Sequence, residues 1–247
     1  MARADLLLDL VEAEGRGDRE RFKVEEQQRP DLLRSHRIEP RDRSLLSGPP
    51  GNGKTSVAEA IASELMLPFY IIRYEGVMSS FLGETAARLD SAFEFARTRR
   101  CVLFFDELDT IAKERSDEHE TGEIKRVVST LLLQVDRLPA HVIFIGATNH
   151  SELLDRAAWR RFQIRAELGA PTRDQATKFF ERLSVRLGGE LGFAPRTLAD
   201  KLAGASFAEL EEFALDVRRR LVLELPGGDM RRIARERLEN RRGQVRK

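Results

Sequence analysis

Cysteine is almost absent from the 247-residue sequence, which also has no long apolar run. Cys101 alone cannot form an internal disulfide, and this suits a reducing compartment, so we expect a cytoplasmic protein. Near the start, Asp5 and Asp9 flank three leucines, and no later segment approaches the roughly 20 apolar residues that cross a bilayer. The sequence therefore predicts neither export nor membrane insertion.

Net charge is also small, because 42 Lys and Arg against 41 Asp and Glu leave only +1. A chain without a strong overall field is expected to have neither nucleic acid nor an anionic membrane as an obligate partner. A hydrophobic content of 41% is too high for a disordered chain, even with 34% charged residues. We expect a globular protein with a heavily charged surface.

Short apolar runs alternate with helical patterns through the middle of the chain. Continuous apolar runs such as Cys101 to Phe105 and Val142 to Gly146 are typical of parallel strands that are buried on both faces. The predicted fold is an α/β protein with a doubly wound parallel sheet, followed by a small helical lid. The predicted boundaries are a short helical segment at 1–40, an α/β domain at 41–169, and a helical domain with a basic tail at 170–247. Within the first segment, the stretch between Pro30 and Pro40 is expected to be irregular.

A glycine-rich motif follows the first predicted strand. Residues 48–55 read Gly-Pro-Pro-Gly-Asn-Gly-Lys-Thr and fit G-x-x-x-x-G-K-[ST], in which backbone N–H groups surround phosphates. Lys54 would reach the β and γ phosphates, and the Thr55 hydroxyl would bind Mg²⁺. The motif predicts ATP and Mg²⁺ as ligands. The candidate nucleotide-binding residues of this loop are Pro50, Gly51, Asn52, Gly53, Lys54, Thr55 and Ser56.

Two carboxylates follow the buried strand at 101–105. Parallel strands deliver their C-terminal ends to the ligand crevice, which favours a functional role for these side chains. We expect Asp106 to support Mg²⁺ and Glu107 to orient and polarise the attacking water.

The motifs together resemble a known family. The glycine-rich loop, Asp106-Glu107-Leu108-Asp109, Gly146-Ala147-Thr148-Asn149, and the segment from Leu154 to Phe162 are similar to those of AAA+ ATPases, specifically the AAA clade. The resemblance covers roughly Ser44 to Leu223. It implies a ring, usually a hexamer, in which ATP lies between subunits.

The same resemblance assigns further candidate residues. Asn149 matches the sensor position, which holds the catalytic water or the γ-phosphate, and Arg160 and Arg161 match the fingers that reach a neighbour's nucleotide. Gly204 and Ala205 match the lid segment that lies against the nucleotide. Departures from the family occur at Asp136-Arg137-Leu138, where many ring remodellers carry Asp-Gly-Phe, and at Gln163, where an acid is common.

Phe81, Leu82 and Gly83 are similar to the loop that lines the central channel of such rings and contacts an extended polypeptide. An aromatic side chain can wedge against any chain regardless of sequence. Packing of Phe81 in the core is the alternative.

Three functions remain open from the sequence. The first is a ring ATPase that couples hydrolysis to remodelling or threading of protein substrates. The second is a nucleotide switch that controls a separately encoded effector protein, such as a peptidase, without threading. The third, a nucleic-acid motor or clamp-loader-like protein, rests only on the basic tail from Asp229 to Lys247, and nucleic acid is the less favoured partner.

Overall fold

The computed structural model describes residues 24–73, 82–109, 130–154 and 156–244. These fall into two units: one comprises the chain up to Pro49 together with Lys54–Leu168, and the other comprises Pro50–Gly53 and Gly169 onward.

The first unit is built on a five-stranded sheet in which every neighbouring pair of strands is parallel. The strands are β1 (Arg43–Ser47), β2 (Phe69–Ile72), β3 (Cys101–Phe105), β4 (Val142–Thr148) and β5 (Ile164–Glu167). Their order across the sheet is β2-β3-β4-β1-β5. The predicted parallel α/β architecture is confirmed.

The helices of this unit are α1 (Pro30–Ser35), α2 (Lys54–Glu64), α3 (Leu82–Arg97) and α4 (Arg156–Arg161). Residues 24–28 and 130–136 are also helical, and a 3₁₀ turn spans Ser151–Leu153. The expectation of an irregular segment between Pro30 and Pro40 was wrong for Pro30–Ser35, which form α1, while residues 36–40 form neither helix nor strand. Proline is well suited to the first helical position, where its missing N–H has no intrahelical partner.

Both faces of the sheet are covered, since every residue of β3 and β4 is buried. Leu45, Phe105 and Phe144 join one apolar cluster with Phe93 of α3. Helix α2 contacts β3 and β4 and buries Val57, Ala58 and Ile61, which lie outside that cluster. The continuous apolar runs of the sequence follow from this two-sided burial.

Strand order decides which loops meet. Strand β4 pairs with β1 on one side and β3 on the other, and Ser47 lies opposite Thr148. The C-terminal ends of these three central strands lead into the glycine-rich loop, the carboxylate pair and Asn149. The sheet therefore brings the three motifs to one edge.

The described residues of the second unit form four helices: α5 (Arg173–Arg186), α6 (Pro195–Lys201), α7 (Phe207–Leu223) and α8 (Met230–Gln244). Its core includes Phe180, Leu198, Phe213 and Ile233, all buried. No helix within the described ranges is both long and apolar enough to cross a membrane.

Arginines of the basic tail are paired with acids of the same unit. Arg237 lies 3.2 Å from Asp216 of α7, and Arg241 lies 2.6 Å from Glu209. These pairs join α8 to α7 and neutralise part of the positive charge that the tail carries in the sequence.

The N-terminus of α7 carries a capping box. The Ser206 Oγ accepts from the Glu209 N–H, and the Ser206 N–H donates to Glu209 Oε2 at 2.7 Å. We expect Ser206→Ala to lower the free energy of unfolding by about 1 kcal/mol, because one N–H of the first turn loses its acceptor. Chemical denaturation measures this, and Ser184→Ala, within α5, is the control that should change stability less.

The capping box should also depend on pH. The Ser206 backbone N–H, helped by the Ser206 hydroxyl and Arg241, lowers the pKa of Glu209 below its ordinary value. The ionised carboxylate therefore stabilises the fold above its unfolded-state pKa of about 4.3, and this contribution disappears as pH falls through the lower folded-state pKa. The stability difference between the protein and Glu209→Gln should shrink over that acid range.

Candidate functional site

The glycines of the glycine-rich loop have backbone conformations that other residues rarely adopt. The φ angles of Gly48, Gly51 and Gly53 are +132°, +79° and +86°. A Cβ on Gly48 would lie 2.2 Å from the carbonyl oxygen of Leu168, which is main chain and cannot rotate away. Glycine at position 48 is therefore required because the main chain of Leu168, which directly follows β5, approaches it closely.

Inside this loop, polar groups are left without partners. Among the described residues, the N–H groups of Gly51, Asn52 and Gly53 donate to no backbone carbonyl. Asn52 is 4% exposed, and its Oδ1 is buried and makes no hydrogen bond within the described ranges. Consecutive free N–H groups in a glycine turn before a helix fit the phosphates of ATP.

Lys54 begins α2 and its side chain turns back into the loop. Its Nζ donates to the carbonyl oxygens of Gly48 at 2.6 Å and Pro49 at 3.1 Å, and to Asn149 Oδ1 at 2.7 Å. Burial lowers the pKa of Lys54, while the charges of Asp106 and Asp109 oppose that change. The ammonium is thus held in the loop, close to two carboxylates.

The carboxylate pair follows β3 in an unusual turn. Glu107 has φ of +58°, a left-handed conformation that is uncommon for a residue with a side chain. Its N–H donates to Asp106 Oδ1 at 3.0 Å, and the Asp106 N–H donates to the carbonyl of Ile72 at 3.1 Å. Glu107 is exposed and Asp106 is half-buried, so the strand ends with both side chains at the edge of the sheet.

Asn149 is held in place by Asp109 and Thr148, to which the sequence analysis assigned no role. The buried Asp109 accepts from Thr148 Oγ1 at 3.0 Å and from the Asn149 N–H at 3.1 Å. Asp109 and Thr148 appeared in the sequence only as parts of the motifs that carry the family resemblance. Their contact joins the turn after β3 to the end of β4, which spacing along the chain could not predict.

The two candidate finger arginines differ in their surroundings. Arg161 donates from Nε to Asp136 Oδ2 at 2.9 Å, and Asp136 also lies 3.5 Å from Arg43. Arg160 is exposed and makes no hydrogen bond or ion pair in the part of the chain that the structure describes. Asp136, the one residue of the Asp136-Arg137-Leu138 segment that agrees with the family's Asp-Gly-Phe, therefore anchors Arg161 within the same chain.

Gln163 and Gly204 are two further positions that the sequence singled out. Gln163 caps the start of β1, because its Oε1 accepts from the N–H groups of Asp42 and Arg43 at 2.9 and 3.0 Å. Gly204 has φ of +83° and precedes the buried Ala205 in the second unit.

The residues of the channel-loop motif are described only in part. Phe81 lies outside the described residues, whereas Leu82 and Gly83 begin helix α3.

The described ranges contain no group of three or more His, Cys, Asp or Glu that could hold a metal ion. A metal at this edge would therefore depend on the hydroxyl of Thr55, the carboxylate of Asp106 and the phosphates.

Parallel strands that end at a glycine-rich loop with an inward-facing lysine define the class of P-loop nucleoside triphosphatases. Residues 44–170 match the family described as "ATPase family associated with various cellular activities (AAA)". The chain belongs to this AAA family, and it is an ATPase.

Similar proteins agree with this assignment. The AAA family ATPase y4kL of Sinorhizobium fredii is 37% identical over 90% of this chain and 68% of its own length. The peroxisomal ATPase pex6 of Schizosaccharomyces pombe is 42% identical over 57% of this chain and 16% of its own. A homologue of a 26S proteasome regulatory subunit from Methanothermobacter marburgensis is 32% identical over 79% of this chain and 52% of its own. The chain thus spans about two thirds of the first relative and smaller parts of the other two.

Proposed function

We propose that this ATPase assembles into a ring, with six copies as the expected number, and uses ATP hydrolysis to remodel or thread protein substrates. Each nucleotide would bind between two copies, so that one copy supplies the loop and carboxylates and its neighbour supplies an arginine. Such an arrangement makes turnover in one copy depend on the next.

The observation that carries the proposal is the state of Arg160. Helix α4 anchors Arg161 to Asp136, and it leaves the adjacent Arg160 exposed and without a partner among the described residues. An exposed arginine without a partner among the described residues of its own chain is suited to neutralise charge on a neighbour's triphosphate. We assign the finger role to Arg160 and a supporting role to Arg161.

Mg²⁺ is part of the proposal. Thr55 and Asp106 would hold the ion and its water shell, and the ion would neutralise charge on the phosphates of ATP. Gly204 and Ala205 stay proposed nucleotide-binding residues, on the family resemblance alone. A cytoplasmic location stays a prediction from the single cysteine.

Protein substrates are favoured by the names of the relatives. One is named for the regulatory subunit of the 26S proteasome and another for peroxisomes. Nucleic acid is less favoured as a partner, because arginines of α8 are paired with acids of α7.

Phe81→Ala tests whether substrate is threaded. If residues 81–83 grip an extended polypeptide, the variant should retain ATP turnover within about twofold but lose most capture of a fluorescein-labelled, permanently unfolded protein, because the aromatic wedge is missing. Fluorescence anisotropy with ATP and Glu107→Gln as the background measures capture.

A matched control is Phe95→Ala, which removes an exposed phenylalanine of α3. It should change neither turnover nor capture. Full capture by Phe81→Ala would favour the nucleotide switch, in which ATP occupancy controls a separate effector without threading. Particle sizing with and without ATP would test the ring independently of substrate.

A further inference from the structure

Asp109 is a buried carboxylate that the roles assigned so far leave unused. It is 4% exposed and lies in the helical turn that follows β3. An ionised carboxylate is costly to bury unless hydrogen bonds compensate for the lost water. Asp109 receives two of them, both from the end of β4.

The direction of each hydrogen bond is fixed by chemistry. The Thr148 hydroxyl has one proton, which it donates to Asp109 Oδ1. Thr148 Oγ1 in turn accepts from the His150 N–H at 3.1 Å. A second donor to Asp109 is the Asn149 N–H. Asp109 therefore fixes the main chain on both sides of the Asn149 Cα.

The side chain of Asn149 is fixed from the other direction. A lysine ammonium can only donate, so the atom 2.7 Å from Lys54 Nζ must be the amide oxygen of Asn149. With its oxygen engaged by Lys54, the amide keeps two N–H donors for a γ-phosphate oxygen or a water. The two ends of Asn149 are thus held by Asp109 and by the lysine of the phosphate loop.

We propose that Asp109 is a positioning residue for ATP hydrolysis, which acts by holding Thr148 and the main chain of Asn149 so that the Asn149 amide meets the reacting groups. The role rests on ATP hydrolysis at this site and does not require the ring. A carboxylate that only stabilised the fold would act equally whether or not the Asn149 amide were present.

A double-mutant cycle separates these roles. Asp109→Asn keeps the shape of the side chain and removes its charge, and we expect it to lower kcat about tenfold, since a small displacement of a reacting group has a large effect on rate. KM for ATP should stay within about threefold, because the phosphate loop keeps its free N–H groups and the Lys54 side chain, and Lys54 still has the charge of Asp106 acting on it. With Asn149→Ala as the background, Asp109→Asn should change kcat by less than about twofold.

Two outcomes overturn the proposal: an unchanged kcat in Asp109→Asn, or an equal loss in both backgrounds. Circular dichroism and thermal unfolding show whether each variant is folded.

If Asp109→Asn does not fold, Thr148 provides the same test. Thr148→Val removes the hydroxyl at nearly constant volume and should lower kcat without a matching change in KM, whereas Thr148→Ser keeps the hydroxyl and should restore it. Equal kcat values for the valine and serine variants would count against the proposal as firmly as additivity in the first cycle.

Discussion

Glu107→Gln should bind ATP normally and lose turnover by about 10²- to 10⁴-fold. The glutamate is exposed at the end of β3, where its carboxylate can accept a proton from water, and an amide of the same shape cannot. The left-handed backbone at this residue, with φ of +58°, should be retained because glutamine and glutamate differ only at the side-chain terminus. Single-turnover hydrolysis and titration with a fluorescent ATP analogue measure the two properties separately.

A suitable control is Glu181→Gln, which changes an exposed glutamate of α5 in the same way. It should match the unmodified protein in both assays. If Glu107→Gln kept more than about a tenth of the turnover, the attacking water would have to be activated by another group, and the role assigned to Glu107 would be wrong.

Arg160→Ala should lower ATP turnover by about 10³-fold. Mixing it with the Glu107→Gln variant, which is itself inactive, should restore part of that turnover. In a mixture of Arg160→Ala with Glu107→Gln, a site with an intact Glu107 can receive Arg160 from a Glu107→Gln neighbour. Random assembly of equal amounts creates such a pair at about one quarter of the interfaces, so turnover should rise toward about a quarter of normal.

Arg161→Ala provides the contrast in the same assay. The Arg161 guanidinium is held by Asp136 of its own chain, so Arg161→Ala should alter the placement of α4. Asp136→Asn should reproduce part of this effect, because it weakens the same ion pair. No recovery in the Arg160→Ala mixture, despite sizing that shows joint assembly, would remove the trans role. Turnover of Arg160→Ala equal to that of the unmodified protein would remove the finger role altogether.

The predicted elements were most reliable where burial is two-sided. The run from Cys101 to Phe105 forms a strand with the predicted bounds, because five continuous apolar residues fit a strand between two helical layers. The first part of the stretch after Pro30, residues 30–35, was mistaken for irregular chain, since proline both ends helices and begins them. A pattern in sequence does not separate these two uses of proline.

Within the site, the sequence predicted which residues act on phosphate but not which residues hold those side chains in place. Lys54 and Glu107 belong to short motifs whose residue types follow from phosphate chemistry. The bond between Asp109 and Thr148 joins residues 39 positions apart. It exists because β3 and β4 are neighbours, and no local spacing encodes that pairing.

By itself, the sequence determined the class of chemistry, because a glycine turn followed by lysine and threonine suits few ligands other than a phosphate chain, and it determined the layered α/β fold through its apolar runs. Only the tertiary structure decided how the two candidate finger arginines of α4 differ, with Arg161 held by Asp136 and Arg160 left exposed. It also decided that a buried carboxylate holds Asn149. The physical reason is the same in both cases: hydrogen bonds and ion pairs depend on which strands and helices become neighbours, and that is settled by packing of the whole sheet.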